Sequence, residues 1–310
     1  MIRYLGFALI IAGCAISWAM AQEESDHYSE AGADTCLGCH NDPSMLAIFE
    51  TAHGQQADPN APMASLQCEA CHGPSLLHTD RRQTNAVHQA VLRFGDDSDA
   101  SIEEQTAACT GCHESDIGHE WLGSAHERND TTCASCHMSH APRDPVLSPM
   151  TQNETCFDCH REQHADTQKP SSHPLRIDDP VRVAAMSCTD CHDPHSGTNE
   201  AQLVRETLND VCFECHAQFR GPVLFEHAPV VEDCGLCHEP HGSVHGALLT
   251  QRAPLLCQSC HSQAGHPSIS FTDDTLPDGM PSSMTLGSSC LNCHSAVHGS
   301  NHPSGYKLMR

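Results

Sequence analysis

The chain has 310 residues, a formal charge of −25, only 4% aromatic residues, and as many as 21 cysteines and 26 histidines. That acidity excludes charge-driven binding of nucleic acid. Beyond residue 21 no apolar run is long enough to span a bilayer and no series of alternating strands could close a barrel, so the chain cannot cross a membrane alone.

Residues 1–21 read as a signal peptide: Arg3 gives a positive start, an apolar run follows, and Ala19-Met20-Ala21 is a small-residue cleavage pattern before Gln22. Ile11-Ala12-Gly13-Cys14 also resembles a lipoprotein cleavage box. Against it, Ala15 to Ala21 stays apolar, where a lipidated terminus is normally followed by polar residues. Either route exports the protein. Residues 22–35 are acidic and polar and read as a flexible lead-in.

At Cys36 the first C-x-x-C-H begins, and from there to residue 310 the chain reads as one domain of repeats. The first repeat holds Cys36, Cys39 and His40, then His53, then Cys68, Cys71 and His72, then His78. A short helix over Ala86–Phe94, closed by Gly95, is expected next, and then a Ser-capped helix over Ser101–Cys112 with Glu103 and Glu104 in its first turn. The second repeat holds Cys109, Cys112 and His113, His126, then Cys133, Cys136 and His137, His140. The third holds Cys156, Cys159 and His160, His173, then Cys188, Cys191 and His192, His195. The fourth holds Cys212, Cys215 and His216, His227, then Cys234, Cys237 and His238, His241. The fifth holds Cys257, Cys260 and His261, His266, then Cys290, Cys293 and His294, His298. Asp144-Pro145, Lys169-Pro170, Asp179-Pro180 and Gly221-Pro222 break the chain between motifs, and residues 267–289 read as a loop.

C-x-x-C-H is the attachment signature of c-type haem: two thiols take the two vinyl groups and the histidine binds the iron from below. Ten motifs use twenty of the 21 cysteines, and Cys14 in the leader is the one left. Zinc ribbons use paired C-x-x-C units and exported proteins form disulfides. Neither needs a histidine directly after every pair, and here it never fails. Ten covalent haems c are therefore expected, with roughly 29 residues to serve each. The porphyrins must then be the core. The fold expected is a multihaem cytochrome c: mostly irregular, with short α-helices, in an elongated stack of five dihaem units.

The histidines after the motifs follow a rule. His53, His126 and His173 each lie thirteen residues after an odd-numbered proximal histidine, with His227 and His266 at shorter spacing. His140, His195 and His241 each lie three residues after an even-numbered one, with His78 and His298 at longer spacing. These ten are the distal candidates, and His302 competes with His298. The leftovers His27, His88, His119, His164 and His245 read as surface or loop residues. A side chain three residues from a proximal histidine cannot reach the opposite face of the same ring, so these histidines serve neighbouring haems. Two imidazoles close an iron to substrates and leave one-electron transfer. Lys169 and Lys307 do not follow a C-x-x-C, and Met138 is too close to His137 to reach across its haem. No catalytic residue is expected, and the protein reads as an electron carrier rather than an enzyme.

The stretches LQCEACHGP (66–74), RGPVLFEHAPV (220–230), CHEPHGSVHG (237–246), RAPLLCQSCH (252–261) and SCLNCHSAVHGSNHPSG (289–305) resemble the MtrA/DmsE family of periplasmic decahaem cytochromes. The likeness covers essentially all of the mature chain. It implies bis-histidine ligation at the ten selected positions. It also implies a place at the periplasmic side of the outer membrane, inside a β-barrel partner protein. Electrons then pass between periplasmic donor cytochromes and an extracellular multihaem cytochrome or terminal reductase. The alternative is a soluble periplasmic shuttle, like the pentahaem donor of periplasmic nitrite reductase.

Overall fold

Each C-x-x-C-H pentapeptide folds as one helical turn, and the rest of the backbone is arranged around these turns. The computed structural model describes residues 28–79, 91–175, 186–195, 201–261 and 289–309. In it the amide of the motif histidine donates to the carbonyl of the first cysteine: His40 to Cys36 at 2.9 Å, His137 to Cys133 at 2.8 Å, His238 to Cys234 at 3.0 Å. Residues three and four apart in such a turn share one face, so both thiols and the imidazole lie on the same side.

The odd-numbered motifs sit at the ends of α-helices: Ala33–Leu37, Ile102–His113, Gln152–Phe157, Leu208–Cys215 and Ala253–Gln258. Ile102–His113 is the expected Ser-capped helix. Ser101 and Glu104 form a reciprocal capping box at its start. Four of the even-numbered motifs open 3-10 turns instead: Cys133–Ser135, Cys188–Asp190, Cys234–Leu236 and Cys290–Asn292. The residue before each first cysteine explains this. Thr132 and Ser187 make capping boxes with Ser135 and Asp190, while the side chains of Asp233 and Ser289 accept from Gly235 N and Leu291 N. The second motif lies in the helix Glu69–His72, which ends at Gly73 with φ 73°.

The helix expected over Ala86–Phe94 is not formed in its described part, where residues 91–94 are irregular. Leu92 gives the reason. Its N–H donates to His72 O at 2.9 Å and its carbonyl accepts from His72 Nδ1 at 2.7 Å, so both backbone groups a helix needs are taken. Residues 86–90 lie outside the described residues, as do Asp179-Pro180, His27, His88, His266 and all of the 267–289 loop except Ser289. Of the lead-in, residues 28–35 differ from a loose tail. Ser29 N donates to the Glu69 carboxylate at 3.1 Å, and Ala33 N donates to Gln67 Oε1 at 2.6 Å.

Among the described residues extended pairing is limited to isolated bridges, among them Ser171 with Ser243 and Phe225 with Ser300. The protein's own side chains supply little core. Among the described residues Ala33, Ala61, Met63, Trp121, Phe157 and Val211 are the buried apolar ones, and buried polar side chains outnumber them. The chain groups into two compact units that part between Ser148 and Pro149, so the break falls between the second and third repeats and splits neither.

Inside the third repeat a single asparagine ties the two motifs together. Asn153 is 1% exposed; its Nδ2 donates to Leu175 O at 2.7 Å and Met186 O at 2.9 Å, and its Oδ1 accepts from Cys188 N at 2.9 Å. Asn209 does the same in the fourth repeat, donating to Val230 O and Val231 O and accepting from Cys234 N at 2.7 Å. Both stand three residues before the odd cysteine. Asn153→Ala leaves two carbonyls and one amide without their partner. It is expected to lower the unfolding free energy of the holoprotein by about 2–4 kcal/mol, read as a lower denaturation midpoint. An unchanged midpoint would show that Asn153 does not tie the repeat.

Candidate haem sites

The cysteine thiols form two kinds of neighbour pair. Inside each repeat the first cysteine of the odd motif meets the first cysteine of the even motif: Cys36 with Cys68, Cys109 with Cys133, Cys156 with Cys188, Cys212 with Cys234, and Cys257 with Cys290. Each of these pairs is within sulfur hydrogen-bond reach. Burial, then the neighbouring sulfur, pushes the Cys36 thiol up to about 11 and the Cys212 thiol up to about 12. In the second repeat the Cys109–Cys133 hydrogen bond holds Cys133 below its ordinary value and Cys109 well above it. Between repeats it is the second cysteines that come close: Cys71 to Cys112, Cys191 to Cys215, and Cys237 to Cys260. Within the first unit, and again within the second, pairing thus alternates, first with first inside a repeat and second with second between repeats. Rings attached at such thiols would stand next to one another along the chain.

The histidines pair as well, and always a motif histidine with a distal candidate. His40 faces His78 with ring centroids 6.3 Å apart, and His53 faces His113 at 6.1 Å. His72 faces His140 at 6.2 Å, and His192 faces His241 at 5.9 Å. His227 faces His261 at 6.1 Å, and His238 faces His298 at 6.2 Å. Two imidazoles bound to opposite sides of one metal, each with a metal–nitrogen bond of about 2 Å, have centroids roughly 6 Å apart. The spacing fits an iron between them. It is too wide for direct ring stacking. Of these six pairs, His40–His78 lies within one repeat. His53 and His227 pair with the next odd motif, while His140, His241 and His298 pair with the preceding even motif.

A third contact orients the motif histidines. Nδ1 of His72, His192, His238 and His294 lies 2.7–2.8 Å from the carbonyl oxygens of Leu92, Ala201, Ala247 and Lys307, respectively. His137 Nδ1 lies 2.7 Å from Asp144 Oδ2 instead. Two distal candidates are held likewise, His173 by Pro240 O at 2.7 Å and His227 by Val297 O at 2.9 Å. With the proton on Nδ1 engaged, Nε2 is left with its lone pair for a metal. Burial is the first cause that holds His53, His72, His241 and His298 below the ordinary imidazole value. A neutral ring is the form that binds iron.

The remaining sequence candidates stand as follows. His126 lies parallel to the Trp121 ring at 6.5 Å, and the His195 amide donates to Asp193 Oδ1 at 3.0 Å. Of the two competitors near the C-terminus, His298 stacks over His238, whereas His302 Nδ1 accepts from Ser304 N at 3.1 Å and Ser304 Oγ at 2.9 Å. His164, set aside as a surface residue, packs flat on Phe157 at 4.4 Å and 10°. Asn153, Asn209 and Asp144 were not singled out from the sequence. The first two share an offset from an odd cysteine, which is a signal a repeat alignment of this one chain contains. Asp144 had none beyond its place before Pro145.

Comparison with known proteins agrees with this geometry. Residues 180–221 and 227–266 match the doubled CXXCH motif family, residues 68–150 the cytochrome c-type protein NrfB-like family, and residues 15–73 the cytochrome c554 and c-prime family. The chain is 46% identical over 290 residues to the multiheme cytochrome MtrA of Shewanella baltica, covering 92% of this chain and 83% of that protein. It is 32% identical over 125 residues to the cytochrome c-type protein NrfB of Haemophilus influenzae, covering 37% of this chain and 52% of that protein.

Proposed function

Because this chain belongs to the family of multihaem c-type cytochromes that includes MtrA, we propose that it is a ten-haem electron wire. It works at the outer membrane inside a β-barrel partner. It passes electrons between periplasmic donor cytochromes and an extracellular multihaem cytochrome or reductase. The terminal acceptor or donor is a metal oxide, ferrous iron or a dimethyl sulfoxide-type reductase. The leader 1–21 delivers it to the periplasm, and five dihaem units begin at Cys36, Cys109, Cys156, Cys212 and Cys257.

The observation that supports this best is the set of six motif-to-distal histidine pairs at 5.9–6.3 Å. Haem c supplies a one-electron ferric–ferrous couple. The chain's residues do the rest. Two cysteines would fix each ring, and the motif histidine and a distal histidine would both bind its iron and keep substrates out. His126, His173, His195 and His266 complete the distal set. By the reach that joins His53 to His113 and His227 to His261, His173 serves the haem of His216. No helix among the described residues is long and apolar enough to cross a membrane, so the crossing itself falls to the barrel. The NrfB-like match over residues 68–150 favours a second reading, a soluble periplasmic shuttle.

The test is a ligand variant. The intact mass of the mature protein should exceed the bare chain by ten haems. In His241→Ala, ten haems should remain attached while one turns high-spin and binds carbon monoxide, and electron delivery to an external acceptor should slow. His164→Ala should leave spin state and rate as they were. A high-spin haem in the His164 variant and none in the His241 variant would refute the assignment.

A further inference from the structure

The even-numbered motifs hold their histidines alike, with one exception. His72, His192, His238 and His294 each meet a neutral backbone carbonyl through Nδ1. His137 meets a carboxylate: Nδ1 to Asp144 Oδ2 is 2.7 Å, and the Asp144 side chain is only 14% exposed. The carboxylate is itself pinned. Its other oxygen accepts from Met138 N and Val146 N, each at 3.3 Å, so Oδ2 is left aimed at the imidazole.

We propose that Asp144 is a positioning residue that sets the potential of the fourth haem below those of the other four even-numbered haems. This rests on the reading that His137 binds that iron through Nε2. The argument has two parts. A carboxylate draws the Nδ1 proton more strongly than a carbonyl does and gives the ring histidinate character; the bound Nε2 becomes a stronger donor, which favours ferric over ferrous iron. A fixed negative charge one ring away adds to the same preference by Coulomb attraction, and partial burial weakens its screening. Hydrogen bonding beyond the ligands is one of the ways a protein tunes a haem. Here it acts on one haem and not on its equivalents in the other repeats. A fourth haem set below its equivalents in the other repeats makes one link of the wire unlike the rest.

The test compares wild-type holoprotein with Asp144→Asn and Asp144→Glu by optical redox titration. Asparagine offers a neutral oxygen of nearly the same shape and makes the fourth motif like the other four. About one tenth of the absorbance change should then move to higher potential, with the total number of electrons unchanged. Asp144→Glu should restore much of the wild-type curve. Superimposable curves for wild type and Asp144→Asn overturn the proposal. A shift accompanied by carbon monoxide binding also overturns it, because Asp144 would then be holding the ligand in place and not tuning it. Should Asp144→Asn fail to accumulate, the wild-type protein answers alone. Near-infrared magnetic circular dichroism of the oxidised form should show one histidine–histidinate haem, and its absence refutes the idea. Ten low-spin haems in the wild type keep the ligation reading standing whichever way the Asp144 result falls.

Discussion

Liposomes filled with a reducible dye and given a reductant outside should bleach when they carry this protein together with the proposed barrel partner, and should not bleach when they carry either one alone. The expected contrast is between a rapid signal and the background leak. Its cause is the surface of the chain. The described residues offer no apolar spanning helix, and a formal charge of −25 leaves many carboxylates that hydrocarbon cannot solvate. Irregular backbone is tolerated at membrane depth only where protein or water surrounds it, and a closed barrel provides that. A barrel by itself has no redox carrier. Bleaching by this protein alone at a comparable rate would defeat the conduit reading. If the protein never associates with a barrel but rapidly reduces a periplasmic enzyme, the shuttle reading replaces it.

Expression without the cytochrome c maturation machinery should yield no folded protein at all. The apo chain should give a disordered far-ultraviolet spectrum and be degraded in the periplasm. Six buried apolar side chains, two of them alanine, are the chain's own core among the described residues. The longest described helix has 12 residues, at the margin of what an isolated helix sustains. Ordering the backbone costs about 1–2 kcal/mol per residue, and that little apolar burial does not offset it. Covalent haem supplies both the apolar material and cross-links that reduce the entropy of the unfolded chain. An apo chain with native-like spectrum and protease resistance would show that the polar ties, such as Asn153, are enough by themselves.

How much of this was legible from sequence differs from residue to residue. The C-x-x-C-H turns are local, so their identity and their hydrogen bonding followed from five residues each. The thirteen-residue offset picked out His53 and the three-residue offset His140 and His241, while His78, His227 and His298, which also face motif histidines, lie at other spacings. The offsets did not say which motif each would meet, because that depends on how one repeat packs on the next. The Ser101 cap was readable because capping is a contact between residues three apart. Residues 91–94 were misread as helical for the opposite reason: Leu92 is claimed by His72, twenty positions earlier, and no local pattern reports that. Asp144 looked like an ordinary turn residue before proline, and only the fold brings it to His137.

The histidine pairing has a consequence for biogenesis. On the proposed export route the N-terminus leads, so a motif reaches the periplasm before the residues behind it. His72 pairs with His140 and His238 with His298, which puts about sixty or more residues of chain between each motif and its second ligand. His113, by contrast, pairs with His53, which has already arrived. A haem joined early to an even-numbered motif would wait five-coordinate, open to oxygen and carbon monoxide, until the following repeat emerges. His261, like His113, follows its partner, here His227, whereas the first motif's His40 must wait for His78. Oxidative damage during synthesis should then concentrate on the His72, His192 and His238 motifs, and a chain truncated after the first, third or fourth repeat should end with that even-numbered haem exposed.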